Sequence, residues 1–432
     1  MIQTDYSLVL WLVVAWPLVL AFPALHSHLP KVRLIAVLPA LLLLFAPDDV
    51  SYNVSWLMLE SGFALDGATR WILAMSVIVW IVAAINIKTK KDPFLQKSTT
   101  TFFMITLSGN LGVVLAADLV MFFVFAALMG YGFYALLLQT NEMAARRAAR
   151  LYLLYLIIAD LILFEALLLA ANATAHLQFS SLNQALASGE VSPLYPWLVF
   201  IGFGLKTGIW PFHLWLVATY RYAIRPLAMM LGGVPVALAV LGMMQWMPFS
   251  EEMNISLGAV CLAVAIAACI HAMYVFMKKS QLLPLMALLI ASSVLLSFIG
   301  ISIMDPKIWV DYGYLGLAFV SLLGVLPLAL TTVMVRSGKL AETNVDPDKH
   351  VTILPPRTER AIHQVVRWFN TIFIQCESLR DAFYNKMSLL QNDIRQRLLF
   401  LDAAESSIRC WHWAMTCLAI LVFLVAFIAI SL

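Results

Sequence analysis

Apolar stretches of about 20 residues return along the whole chain, each long enough to cross a hydrocarbon core of about 30 Å. Helices and closed barrels are the two architectures that satisfy every backbone polar group in lipid. The apolar runs are continuous rather than alternating, which excludes the barrel. Only 12% of the 432 residues are charged, about half the share in a soluble domain. The sequence therefore reads as an all-α polytopic membrane protein. The net charge of +3 is spread over short loops and marks no nucleic-acid surface. Spans are expected near residues 7–25, 31–47, 67–88, 101–117, 119–139, 149–171, 195–218, 226–247, 255–277, 282–303, 308–335 and 411–431. The first has no basic segment before it and no small-residue cleavage site after it, so it reads as a retained helix.

The connections sort by charge. After odd-numbered spans come Lys31/Arg33, Lys88/Lys90/Lys91/Lys97, Arg146/Arg147/Arg150, Arg221/Arg225, Lys278/Lys279 and Arg336/Lys339. After even-numbered spans come Asp48/Asp49/Glu60, Asp118, Glu190, Glu251/Glu252 and Asp305/Lys307/Asp311. Basic loops stay in the cytoplasm, which puts the N-terminus outside and residues 336–409 inside, in the inner (cytoplasmic) membrane. Residues 340–357 are a polar linker with prolines. Residues 358–409 carry apolar positions from Ile362 to Leu401 three or four apart, with charges of both signs between them. That is an amphipathic helix, expected to lie along the cytoplasmic surface, with two shorter helices packed on the loops as the alternative. Residues 410–432 then return to the membrane as a last anchor.

Ionisable residues at membrane depth are functional candidates by default: Asp160, Glu165, Lys206, His213 and His271. Asp118 belongs to a loop and is set aside. Lys206 carries the strongest signal, in Phe203-Gly-Leu-Lys-Thr-Gly-Ile-Trp-Pro211. Pro211 cannot donate to the Thr207 carbonyl, and Gly204 and Gly208 weaken the helix further. The seventh span should break just after the lysine, a device that transporters use to expose carbonyls and hold an ion path. Snorkelling to the surface is the competing reading, and a position about ten residues from either end argues against it. His213 could relay protons or satisfy freed backbone groups. Asp160 and Glu165 each offer a counter-ion for Lys206, and each could equally be a structural hydrogen-bonding group. His271 reads as interfacial. The five cysteines have no metal-ligand spacing. No haem-type histidine pair and no nucleotide-binding glycine motif is present, so the expectation is no cofactor, no metal and no catalysis by this chain alone.

The stretch Lys206-Thr-Gly-Ile-Trp-Pro-Phe-His-Leu-Trp-Leu216, with Ala218, Tyr220, Ala223 and Pro226, resembles the proton-conducting antiporter-like membrane subunits of respiratory complex I, Mrp antiporters, membrane-bound hydrogenases and inorganic-carbon uptake systems. Residues 107–125 look like the paired fourth and fifth helices of that family. The resemblance covers about residues 60–300 and is most specific at 203–226. It implies N-terminal helices over 1–100, an antiporter-like five-helix unit over 101–247 and a degenerate second unit over 248–339. The long amphipathic segment looks like the lateral helix that some of these subunits lay along their neighbours. Departures are equally definite. The family's helix-5 glutamate falls at Ala127, its helix-8 lysine at about Ala237, no histidine follows Lys278-Lys-Ser-Gln-Leu-Leu-Pro284 within the tenth span, and the second unit is uncharged inside.

The resemblance implies a subunit of a larger membrane complex that contributes to proton or sodium translocation, or to energy coupling, through Lys206. The partners implied are other membrane subunits and a soluble catalytic subunit on the cytoplasmic side. Two alternatives stay open: a non-transporting scaffold that clamps its neighbours, and a membrane partner in gradient-driven inorganic-carbon uptake.

Overall fold

A computed structural model describes residues 2–336, apart from 24, 26–30, 48–49, 54–60, 88–92, 140–141, 175, 248–254 and 277–282. Contacts divide the chain into two units, residues 1–343 with 412–432, and residues 344–411. Every described residue belongs to the first. The expected linker, amphipathic helix and last anchor (340–357, 358–409 and 410–432) lie outside the described residues.

The described helices follow the apolar stretches closely. They are α1 (Ile2–Leu20), α2 (Val32–Ile35), α3 (Leu38–Leu43), α4 (Gly67–Asn86), α5 (Pro93–Leu115), α6 (Leu119–Leu137), α7 (Met143–Ala173) and α8 (Phe179–Ala187). After them come α9 (Tyr195–Thr207), α10 (Leu214–Tyr222), α11 (Arg225–Met230), α12 (Ala237–Trp246), α13 (Ile255–Phe276), α14 (Leu283–Met304) and α15 (Pro306–Arg336). A π-helical turn, Gly232–Val236, joins α11 to α12. Among the described residues, eight stretches are long and apolar enough to cross a membrane: α4, α5, α6, α7, the run Arg225–Trp246, α13, α14 and α15. The chain is a polytopic membrane protein.

Three expectations need correction. The span near 31–47 is two short helices, because Pro39 has no N–H to return to the Ile35 carbonyl, where α2 stops. The acidic connection before α4 contains an antiparallel hairpin, β1 (Val50–Asn53) with β2 (Gly62–Leu65), pairing Val50 with Leu65 and Asn53 with Gly62. A further short helix, α8, occupies the connection after α7.

Asp118 locks the hairpin to the membrane helices. Its carboxylate caps α6 by accepting from the Met121 N–H at 2.9 Å, and it also accepts from the Gly62 N–H at 2.8 Å and the Ser61 hydroxyl at 3.3 Å. Trp11 of α1 packs edge-on against Phe63 of β2, with ring centres 5.4 Å apart. A buried carboxylate with three donors is satisfied and structural, in line with setting it aside as chemistry.

α5 forms the centre and is buried along its whole spanning length. Its polar side chains join helices together, as interhelical hydrogen bonds do in lipid. Thr101 donates to the Ala21 carbonyl at 3.0 Å, Ser108 to the Val14 carbonyl at 2.8 Å, and Asn110 accepts from the Trp80 indole at 2.9 Å. Against α6 it approaches to backbone contact. A Cβ on Gly109 would lie 2.4 Å from the Met129 nitrogen, and one on Gly132 would lie 2.7 Å from Thr106 Oγ1. α7 packs on α6, α9 and α10, and α13 on α14.

Candidate functional site

The helix that carries Lys206 ends one residue later. Gly208 closes α9 in the left-handed conformation, φ 67° and ψ 33°, with its N–H on the Gly204 carbonyl at 3.1 Å. Such a φ favours glycine because a Cβ would crowd the backbone. Residues 208–213 then run without helix, with a cis Trp210–Pro211 bond, until α10 begins at Leu214. The interruption leaves the Leu205 carbonyl without its helical donor. The indole of Trp215, the second residue of α10, supplies one instead at 2.8 Å. Gly204, expected to help loosen the helix, lies inside regular α9 with ordinary packing space beside it. Gly208 is the residue that ends the helix, and Pro211 sits in the loop beyond.

Lys206 turns into the protein. Its Nζ lies 2.5 Å from Asp160 Oδ1 of α7, and both side chains are about nine-tenths buried, at 10% and 11% exposure. The Tyr131 phenol, from α6, lies within direct interaction range of the same carboxylate. Tyr152 of α7 lines the same hollow as Lys206; its hydroxyl donates to the Gly130 carbonyl at 3.3 Å and its ring packs on Trp215 at 5.1 Å. The hollow is small and opens on Lys206, lined by Ala126, Met129, Tyr152, Leu156 and Trp215 among others. It has room for about one water molecule. Ala126 stands next to Ala127, so the hollow lies beside the position where the resemblance expects a glutamate.

Glu165, the other counter-ion candidate, does not join the pair. Five residues along a helix is a rotation of about 140° from Asp160, and Glu165 is on the exposed side of α7. His213 lies at the start of α10, buried, with its ring 4.8 Å from that of His271 on α13 in an edge-on arrangement. Trp210 stacks near His271 at 6.2 Å. His271, half-buried, thus packs against the break through these two rings. Ala237, at the expected helix-8 lysine position, is fully buried. Tyr131, Tyr152 and Trp215 were not among the sequence candidates. Among the described residues, no three metal-ligating side chains come together.

The arrangement has the parts of a proton-handling site: an ammonium and a carboxylate at close range, phenols beside them, and imidazoles at the same helix break. Residues 116–334, just over half of the 432-residue chain, match the family described as NADH:quinone oxidoreductase/Mrp antiporter, TM. The chain belongs to this family. Its matched region runs from the loop before α6 to the end of α15, so the Lys206 site lies within the family's shared part. The chain is 31% identical to NADH-quinone oxidoreductase subunit N of Chromohalobacter salexigens over 162 residues, 35% of this chain and 33% of that protein. It is 25% identical to hydrogenase-4 component B of Escherichia coli over 230 residues, 50% of this chain and 34% of that protein. Its matches cover 25% to 46% of the length of these and similar curated relatives. The fold resembles that of a chain in the Mrp complex of Dietzia sp. DQ12-45-1b, with TM-score 0.58, 18% identity and 78% and 63% of the two chains covered. It also resembles a chain of an archaeal membrane-bound sulfane sulfur reductase, with TM-score 0.59, 17% identity and 76% and 71% covered.

Proposed function

We propose that this antiporter-family chain is one membrane subunit of a larger complex and moves protons through the Lys206–Asp160 pair at the broken helix. The observation that carries the reading is the buried ion pair, formed where the helix ends and next to a hollow sized for water. Asp160 on α7 supplies the carboxylate that the family pattern puts on α6, where this chain has Ala127. Lys206 and Asp160 can then exchange a proton with a water entering the hollow, Tyr131 bridges toward α6, and His213 with His271 offers the next acceptor at the break. Protons are favoured over sodium because the ammonium already occupies the carboxylate, leaving no cage of oxygens for a metal ion. The reading includes the cytoplasmic membrane, residues 336–409 on its cytoplasmic side, and neighbouring membrane subunits completing the path. A soluble catalytic subunit on the cytoplasmic side is the natural source of driving energy.

The test is proton flux in proteoliposomes holding the full chain with the subunits that purify with it, read by an internal pH dye. Lys206→Met should lower flux by about a hundredfold or more, the usual worth of a positioned acid–base group. Lys206→Arg should do the same, because a guanidinium does not give up its proton. Flux at the parent level in both variants would remove the transport reading and favour the scaffold alternative, in which Ala127 and Ala237, standing where the family pattern has a glutamate and a lysine, mark a subunit that only holds its neighbours.

A further inference from the structure

The two acidic residues of α7 sit in opposite surroundings. Asp160 turns inward to Lys206, whereas Glu165 lies on the exposed face. Around it on that face are Leu154, Ile158, Leu161, Phe164 and Leu168, all exposed and three or four residues apart. Glu165 stands about 22 Å along the axis from Arg150 and about 13 Å from Thr174. That is inside the apolar length of a helix able to span the membrane. Among the described residues it has no ion pair. The exposed stripe of α4, Trp71, Ile78 and Ile85, has no charge and suits acyl chains as it stands. The stripe of α7 does not, because lipid cannot solvate a carboxylate at that depth, and a two-carbon stem is too short to reach either interface.

We propose that this face of α7 is a docking surface for a transmembrane helix of a different polypeptide, whose Lys, Arg or His meets Glu165 within a stripe of apolar contacts. The inference starts from the reading that the chain is a subunit of a membrane complex and says where a neighbour sits and what it carries. A second copy docked through the same face would bring no cation, since residues 151–173 contain no Lys or Arg. The chain's own final apolar segment carries one histidine, His412, at its very start, and offers no cation at mid-membrane depth, because every residue from Leu418 to Ile430 is apolar.

The experiment places a photoreactive benzoylphenylalanine at position 161, and in a control chain at position 78, in full-length protein irradiated in native membranes. Position 161 should give an adduct with a transmembrane peptide of another polypeptide that has a Lys, Arg or His in its middle, and position 78 should not. Glu165→Leu should then loosen that same polypeptide in mild detergent by roughly tenfold, the worth of a polar contact between membrane helices. Adducts at 161 with lipid alone, with a second copy or with residues 411–432 overturn the proposal, as does full retention of the partner by Glu165→Leu. Lipid-only adducts in a preparation that still purifies with other membrane polypeptides overturn this surface alone. A chain that purifies with no other polypeptide overturns the complex reading from which the surface was inferred.

Discussion

The α9–α10 and α11–α12 stretches are both interrupted helices, and they use the interruption differently. Between α9 and α10 the helix stops, the chain runs free from Gly208 to His213, and a lysine sits on the last turn. Between α11 and α12 the axis continues through a π turn, closed by the Val236 N–H on the Leu231 carbonyl at 3.1 Å. Nothing ionisable lies between Arg225 and Trp246. Here Gly232 and Gly233 bring the backbone against α15 and α4. A Cβ on Gly232 would be 2.5 Å from the Leu323 carbonyl of α15, and one on Gly233 would be 2.7 Å from Val79 of α4. A broken helix is thus not in itself a sign of chemistry. One break frees a charge and a carbonyl that neighbouring side chains must satisfy, and the other lets three helices touch.

The largest effect that would break this contrast lies at the ion pair. Asp160→Ala should leave the Lys206 ammonium buried without its partner and cost about 3–5 kcal/mol of stability, measured as thermal unfolding in detergent. Asp160→Ala combined with Lys206→Met should recover most of that loss. Equal losses in the single and double variants would mean that the two groups do not act as a pair. Next in size is the π turn. Gly232→Ala should cost about 1–3 kcal/mol through overpacking, with proton flux per folded molecule unchanged, because that interruption carries no chemistry. A flux loss larger than the loss of folded protein would merge the two interruptions into one functional unit. Smallest is Trp215→Phe, which keeps a ring against Tyr152 but removes the donor to the Leu205 carbonyl. A loss of about 1 kcal/mol is expected, and a larger one would show that the indole holds the break together by packing.

The spans were legible because hydropathy over about 20 residues is a strong, additive signal. The hairpin was not, since Val50–Asn53 and Gly62–Leu65 are short and held in place by Asp118 and Trp11, contacts distant in sequence. A break near the lysine was legible from Pro211 and its flanking glycines, but not that Gly208 rather than Pro211 ends the helix, because that depends on its left-handed backbone. The choice between Asp160 and Glu165 depended on which face of α7 turns inward, and that signal was available: Ala145, Ala149, Ala159, Ala166 and Ala170 form the buried side. Small residues mark close helix contacts in membranes, and Asp160 lies on that side. No pattern could have paired His213 with His271, because the pairing is made by α13 coming to the break. Tyr131 was hidden in the same way, its role arising only from how α6 meets α7.

The glycine contacts between α5 and α6 have a mechanical consequence. Where Gly109 faces Met129 and Gly132 faces Thr106, the two main chains touch, with no side-chain layer between them to slide or re-pack. Such a pair resists shear and rotation, so Tyr131 and the alanine wall of the hollow keep a constant position whatever the state of the lysine. If Lys206 gains and loses a proton as proposed, the accompanying displacement is expected on the other side of the gap, in the α9–α10 segment. Spin labels on α5 and α6 would then report one unchanging separation through the cycle, while labels on α6 and α10 would report two.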